Sequence, residues 1–567
     1  MTGGDGTELQ AWSMPGYSLP IYPYRTPPEL SGAPPGIYPV VIVGAGLSGL
    51  TLALELGQRG ISTLLLDDDN TVGAAGISSR GICYARRSLE IFRKLGISHR
   101  IVEKGVLWRI GRVLRGADEL YAFDLQKDAR SEFPPFVNLQ QFYVEEYLVD
   151  RIAEHPSVDL RWMTKVESVR QDDEFATVTV STHEGQYDVK TRWLVAADGS
   201  QSVVRNSLDL TELPNFFGDL WCIVDVKTPL HLAAERRVWV TADFNDGGVV
   251  FFHRMADGVC RFDFQIGHYA DPERHATAEE IMKRIRLALG ADTKVDIVWA
   301  GVWQFKNRMM KRFRHGRSIF IGDAAHELPP FGARGGNGGI QDANNLGWKL
   351  AMVIAGEADQ SLIDNYDEER RAAAVENIHQ ASRSALFLSP ETEGGRLFRQ
   401  AVCDLGPVAP HVRPMVNTGR LSVANSYPES QLAIADEDVF AAGPRPGAAM
   451  IDGPIAGAPE PHLIAAVSND FFALHFVPDN AGSEWTVPMA YVGARKVPSR
   501  RILRSPTGAR VGDWIDTSGF LTSSYDAEEG ATYLFRPDGH VMKRSRSAQI
   551  RVDWPFGCLS PIAEGTA

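Results

Sequence analysis

The run Val40-Val41-Ile42-Val43 passes directly into Gly44-Ala45-Gly46-Leu47-Ser48-Gly49, and Leu50 to Leu56 then reads as a helix. This G-x-G-x-x-G between a strand and a helix commits the chain to a βαβ start of the dinucleotide-binding kind. The first glycine permits the tight turn. The second lets a pyrophosphate approach the backbone, and the third lets helix and strand pack closely. A second strand, Ser62 to Leu66, ends in Asp67, the position of an acid that accepts hydrogen bonds from a ribose. Asp68 and Asp69 follow it, so the assignment to Asp67 is not unique. The pattern implies an adenine dinucleotide.

A second glycine-rich segment runs from Gly322 to Leu346. The apolar stretch Ser318-Ile319-Phe320-Ile321 delivers Gly322-Asp323 at its end, and Pro329-Pro330 and the loop Arg334-Gly335-Gly336-Asn337-Gly338 follow. A helix is predicted from about Gly339. Such a loop lets backbone come close to a flat ligand. The helix start aims unpaired N–H groups and partial positive charge at it. An anionic ring, such as a reduced flavin, fits. Between these segments lies a third buried strand, Trp193 to Ala197, ending in Asp198-Gly199-Ser200 and followed by Ser202-Val203-Val204-Arg205.

Three strand-end motifs in this order resemble the flavoprotein aromatic hydroxylases, the single-component FAD monooxygenases of the 4-hydroxybenzoate hydroxylase type. Ser78 to Phe92 is similar to their flavin-contacting arginine loop and following helix, and Asn138 to Glu145 to their glutamine segment. The nearest subgroup is the 3-(3-hydroxyphenyl)propionate hydroxylase-like and phenol hydroxylase-like enzymes. The likeness is good over about Val40 to Gly356 and weaker beyond. It implies bound FAD, with NADH or NADPH as a transient reductant and O₂ as co-substrate. The expected reaction is hydroxylation of a phenolic, carboxylated ring through a C4a-hydroperoxyflavin. A larger natural-product ring, oxidative decarboxylation or epoxidation are the alternatives; a non-catalytic flavin-binding interaction protein is a remote one.

The resemblance also assigns residues. Gly44, Gly46, Ser48 and Gly49 are expected against the FAD pyrophosphate, Asp67 against the adenosine ribose, and Arg80 and Gln141 against the phosphate and ribityl region. Gly322 and Asp323 are expected at the ribityl chain or pyrophosphate linkage. Asp198 belongs either to the cofactor site or to a turn that fixes the fold. Gly335, Gly336, Asn337 and Gly338 are expected over the pyrimidine end of the ring, Pro330 on its substrate side, and Arg334 where a cation eases flavin reduction. His326 and His253 are candidates for relaying a phenolic proton, although His326, after a tight turn, also reads as a structural residue.

The predicted fold class is α/β: a Rossmann-like FAD domain with an inserted mixed β-sheet substrate domain and a C-terminal thioredoxin-like domain. Residues 1–38 form a Pro/Tyr-rich arm, whose Trp12, Tyr17, Tyr22 and Tyr24 argue for docking. The FAD domain is expected over 39–210 and 307–390, the substrate sheet over 211–306, a helical linker over 391–430 and the last domain over 431–567. Val249–His253 and Cys260–Gln265 read as a hairpin around Ala256-Asp257-Gly258. If the faces carrying Phe252, Arg254, Phe262 and Phe264 point to the flavin, they make an aromatic slot with one cation, joined by Trp221. Otherwise the phenylalanines are sheet core and Arg254 is exposed.

A net charge of −13 and the lack of a long Lys/Arg run speak against a nucleic-acid surface. Cys83, Cys222, Cys260, Cys403 and Cys558 are widely spaced, with no C-x-x-C and no zinc spacing, which suits free thiols in a reducing cytoplasm. Nothing reads as a signal peptide or a membrane span. No second fingerprint offers a nicotinamide domain. The oligomeric state stays open, with a homodimer common among relatives.

Overall fold

The β-branched run lies in β1 (Ile37–Val43), which is buried from Val40 onward. The glycine turn then opens α1 (Leu47–Gln58), and β2 (Thr63–Leu66) returns parallel to β1 with Val40 opposite Thr63. On its other side β1 pairs in parallel with β3 (Gly185–Ala196), Val43 opposite Ala196. Ser318–Phe320 extends the same sheet beyond β3, and Val158–Arg161 extends it beyond β2. Strands buried on both faces need near-continuous apolar sequence, as in β1 from Val40 and in β2, whereas β3 alternates up to Arg192 and is continuously buried only from Trp193 to Ala196. The computed structural model describes residues 18–32, 36–73, 81–126, 130–210, 215–416, 421, 423–482, 485 and 487–559. Arg80, Trp12 and Tyr17 lie outside the described residues.

A second eight-stranded sheet is built on β4 (Asn215–Lys227), β5 (Arg236–Thr241), β6 (Val250–Arg254), β7 (Val259–Gly267) and, after α2 (Ala278–Leu289), β8 (Asp296–Met309). Its order is His326–Glu327, β8, β4, β7, β6, β5, Ile110–Arg115, Asp118–Asp124. The last two strands lie within 39–210, so the sheet draws on chain from both sides of residue 211; Arg236 pairs in parallel with Gly111. The predicted hairpin is present, with His253 opposite Arg261 and a turn in which Asp257 has φ +60°. Its tip is anchored on the first domain. The Tyr143 hydroxyl donates to Asp257 at 2.6 Å, Lys104 pairs with it at 2.6 Å, and Gln140 Nε2 donates to the Ala256 carbonyl at 3.3 Å.

Two long helices follow, α3 (Gly335–Ile354) and α4 (Ser361–Leu388). The C-terminal part carries a five-stranded sheet in the order Trp514–Ile515, Ser499–Leu503, Phe472–Phe476, Ala531–Phe535, Val541–Ser545. Phe472–Phe476 is parallel to Ser499–Leu503 and antiparallel to Ala531–Phe535. At the other end of the chain, residues 18–32 lie against the body. Tyr22 stacks on Trp162 with ring centroids 4.7 Å apart, and Glu29 accepts from Arg161 at 2.9 Å and from the Tyr38 hydroxyl at 2.8 Å. No helix among the described residues is long and apolar enough to cross a membrane.

Candidate functional site

The tips of β1, β2, β3 and Ser318–Phe320 meet at one edge of the first sheet. Gly44 turns with φ +101°, and a Cβ there would lie 2.5 Å from the Ala197 carbonyl oxygen. Gly49 is closer still to its surroundings: a Cβ would lie 1.9 Å from the Gly44 oxygen. Gly46, the N-cap of α1, differs, with nothing within 4 Å of a built Cβ and no side chain capping the helix. The start of α3 is also uncapped, and Gly335 also opens to empty space. The two helices approach at Ser48, whose Oγ would lie 2.2 Å from a Cβ on Gly339 and 2.5 Å from one on Gly322. Two helix N-termini with unspent N–H groups thus converge beside open space, which suits a phosphate-bearing, electron-accepting ligand.

Asp67 is half-buried. Its Oδ2 accepts from Ala45 N at 2.6 Å and its Oδ1 from Asp69 N at 3.0 Å, so it braces the glycine turn from below. Burial pushes the carboxyl up to about 7, against the pull of these N–H donors. Gln141 accepts from Gly81 N at 2.8 Å and donates to Glu145 at 2.7 Å. Asp198 accepts from Val204 N at 3.1 Å, while its buried Oδ1 has no partner among the described residues. Arg205, from the same motif, is fully buried and donates to the Ala324 carbonyl at 2.8 Å and to the Ser200 carbonyl. It therefore ties the second strand-end turn to the third. Asp323 and Pro330 are exposed at the surface of that third turn.

Behind the loop the polar groups are committed. Asn337 accepts from Ala85 N at 2.9 Å and from the Ser88 hydroxyl at 2.6 Å, and donates to the Cys83 and Ala333 carbonyls at 2.8 and 2.6 Å. It staples the start of α3 to the strand Cys83–Ala85. Gly338 donates its N–H to the Arg334 carbonyl at 2.8 Å, and Gly336 is exposed. Arg334 donates to Asn377 at 2.8 Å. His326 is buried with Nε2 at 2.7 Å from Asp342, which also accepts from Gly322 N at 2.9 Å and from Arg370 at 2.6 Å. Burial alone would raise Asp342, but Arg370 and His326 hold it well below the usual carboxylate range. In this setting His326 is a positioning group: with Asp342 and Arg370 it fixes the Gly322 turn against α3.

The expected aromatic slot is corrected by the sheet's orientation. Phe252, Phe262 and Phe264 share one buried cluster with Cys222, Val224, Ile281 and Ile285, so their face is covered by α2. Arg254, on that same face of β6, is half-buried and donates to the Leu232 carbonyl at 2.7 Å, so neither its predicted slot nor full exposure describes it. Side chains on a strand alternate, and the opposite face presents Phe251 and His253 of β6, Arg261 and Asp263 of β7, and Trp221 of β4. That face meets the loop: Phe331 lies 5.5 Å from Trp221 and 5.7 Å from Phe251. Trp221 lies on this face, apart from the Phe252, Phe262 and Phe264 it was expected to join.

Residues 37–381 match the FAD binding domain family. A 3-(3-hydroxy-phenyl)propionate/3-hydroxycinnamic acid hydroxylase of Mycolicibacterium smegmatis is 30% identical over 397 residues, covering 70% of this chain and 69% of that one. The chain belongs to the FAD-dependent aromatic hydroxylases. A hydroxylase of the same description from Mycolicibacterium gilvum is 30% identical over 386 residues, 66% of this chain and 65% of its own. Among solved structures, the flavin-dependent monooxygenase PieE in complex with FAD and substrate aligns over 91% of this chain and 97% of its own, at 22% identity and a TM-score of 0.74. Aklavinone-11 hydroxylase with FAD and aklavinone aligns over 91% of this chain and 96% of its own, at 21% identity and a TM-score of 0.69. These likenesses show that the hydroxylase fold extends through the C-terminal part.

The residues of this hydroxylase that the sequence reading missed are mostly charged. Arg261 and Asp263 alternate with Phe262 and Phe264 in β7, and a polar–apolar alternation marks two chemically different sides, one covered by α2 and one turned toward the glycine loop. The signal was there; the aromatic residues drew the assignment to the wrong side. Asp342 and Arg370 gave no such signal, because their role depends on partners distant in sequence, and Arg205 stood in the Asp198 motif without its contact to Ala324 being legible.

Proposed function

We propose that this FAD-dependent hydroxylase takes electrons from NADH or NADPH and oxygenates a phenolic ring carrying a carboxylate. The observation that carries the reading is the junction of two uncapped helix N-termini with a sheet face that is both aromatic and charged, joined through Phe331 of the glycine loop. The carboxylated phenol is argued from the curated relatives, whose names specify hydroxyphenylpropionate and hydroxycinnamate. Bound FAD supplies the two-electron chemistry that activates O₂. In this assignment Gly44, Gly46, Ser48 and Gly49 lie along the pyrophosphate, and Asp67 reaches the adenosine ribose. Gly335 to Gly338 give the ring a positive helix terminus, which stabilises negative charge on it. The apolar wall of Trp221, Phe251, Phe305 and Phe331 excludes water from the reacting atoms. For the C-terminal part we favour a thioredoxin-like sheet without redox chemistry, from its mixed strand directions and the lack of any Cys between Cys403 and Cys558.

The test is NADH and NADPH oxidation by the purified holoenzyme, with and without a panel of hydroxylated aromatic acids. Substrate-stimulated oxidation and a product heavier by one oxygen are expected. Coenzyme oxidation that no phenol changes, with peroxide as the only product, would refute the reading. Asp67→Ala checks the cofactor assignment. A hydrogen bond to a charged group contributes about 1.5–3 kcal/mol, so FAD is expected to bind roughly ten- to a hundred-fold more weakly. Equilibrium dialysis measures this, and unchanged affinity would remove Asp67 from the site.

A further inference from the structure

The side of the second sheet that meets the glycine loop holds more charge than its own contacts satisfy. Asp225 and Arg261 close on each other, Nε to Oδ1 at 2.7 Å and Nη2 to Oδ2 at 2.9 Å, and both are buried. Asp263 and Arg236 are different. Among the described residues, the buried Oδ1 of Asp263 and the buried Nε of Arg236 have no hydrogen-bond partner. Asp263 stands opposite Phe251 across the β6–β7 pair, and the Arg236 guanidinium lies 5.1 Å from the centre of the Phe251 ring. A buried polar atom left unmatched costs about 1–3 kcal/mol, so such atoms in native proteins ask for an occupant.

The place of these two groups says which occupant. His253, on the same face, lies with Nδ1 3.8 Å from the Cys83 sulfur, and the Cys83 carbonyl is held by Asn337 at the start of α3. On the other side Phe251 meets Phe331 of the loop. The pair therefore sits between the sheet and the glycine loop, with aromatic rings beside it. An ionised carboxylate only accepts hydrogen bonds and a guanidinium only donates them. We propose that Asp263 accepts the hydrogen bond of the substrate's ring hydroxyl and that Arg236 holds its anionic substituent. This rests on the hydroxylase reading above and names the residues that select its substrate. Of these four charged groups, Asp263 and Arg236 are the two with buried polar atoms unpartnered among the described residues. Burial pushes Asp263 up to about 6, against Arg261, which makes it a stronger acceptor than an exposed carboxylate.

The test titrates FAD-loaded protein with 3-(3-hydroxyphenyl)propionate, its methyl ester and 3-phenylpropionate, reading dissociation constants from the flavin absorbance. The wild type is expected to prefer the acid to the ester, and the phenol to the deoxy compound, by ten-fold or more. Arg236→Leu should bring the acid-to-ester ratio within two-fold while keeping the hydroxyl preference, and Arg236→Lys should restore part of it. Asp263→Leu should do the converse. Flavin absorbance reports folding; where a leucine variant loses flavin, Arg236→Gln and Asp263→Asn are read for the same ratios. Wild-type ratios in the leucine, glutamine or asparagine variants that keep flavin overturn the assignment. Stimulation by neutral phenols alone overturns the role of Arg236 and leaves the hydroxylase reading intact. A flavin-loaded wild type that responds to no phenol overturns both.

Discussion

Gly49→Ala is expected to yield a protein that purifies without its yellow colour. A Cβ at this position would lie 1.9 Å from the Gly44 oxygen, 3.1 Å from the Gly44 carbonyl carbon and 3.2 Å from the Ala197 Cβ. The obstructing atoms are mostly backbone, so no rotamer change relieves them. Gly44 cannot yield either, since it is held at φ +101° with Ala197 directly behind it. The start of α1 must therefore move away from the tips of β1 and β3. Overpacking a well-filled site costs about 1–3 kcal/mol, and a backbone clash lies at the upper end. FAD affinity should fall by at least a hundred-fold, which is about 2.7 kcal/mol, and the apoprotein should melt at a lower temperature. Gly46→Ala is the control that separates packing from binding. Nothing lies within 4 Å of its built Cβ, so the apoprotein should melt like the wild type while FAD binding is weakened. The ratio of flavin to protein absorbance and the melting of the apoproteins measure both effects. A Gly49→Ala protein that retains flavin would show that the turn does not carry the cofactor.

The same glycine turn shows what a sequence can disclose. Its spacing, its strand and its helix are all local, so the βαβ unit of β1, α1 and β2 was legible residue by residue. The hairpin of β6 and β7 was legible for the same reason. The face of the second sheet was not. Alternation shows that Phe262 and Arg261 point to opposite sides, but only α2, packing Ile281 and Ile285 onto the phenylalanines, decides which side is core. Ile110–Arg115 joined that sheet through a parallel pairing with β5 that spans more than a hundred residues, which no local pattern records. Asn337 was singled out for its place in the glycine loop, yet its amide is occupied by Ala85, Ser88, Cys83 and Ala333, residues that only the folded chain brings near. Polar residues with long-range partners were thus the least readable part of the site.

The largest such cluster lies where the C-terminal part docks, and Glu369→Ala is expected to destabilise the protein more than any other single change considered. Glu369 on α4 accepts from Lys349 at 2.8 Å, from Asn345 at 2.7 Å and from Arg536 Nη2 at 3.0 Å. Arg536 belongs to the C-terminal part, and Lys349, Glu369 and Arg536 are all buried. Asp538 beside it accepts from the Trp348 indole at 3.3 Å. Removing Glu369 leaves the buried Lys349 to the Asn345 and Asn365 amide oxygens and Arg536 to Asp538, which weakens the dock, and breaking one partner out of a buried ion cluster costs about 3–5 kcal/mol. The damage should reach the flavin loop, because the next residue, Arg370, holds Asp342, and Asp342 holds Gly322 and His326. Glu369→Gln keeps an acceptor for one cation and should fall between the variant and the wild type. The pH dependence supplies an independent check. Burial alone would raise Glu369, but Arg536 and Lys349 hold it below its ordinary value of 4.5. A carboxyl depressed in the folded state stabilises above its unfolded pKa, and that contribution is lost as pH falls toward the folded value. The gap between wild type and Glu369→Ala should therefore be full at pH 7 and shrink progressively below pH 4.5. Unfolding in urea, followed by tryptophan fluorescence and by flavin release, measures the gap at each pH; equal midpoints at pH 7 would show that the C-terminal part is not held to the flavin domain by this cluster.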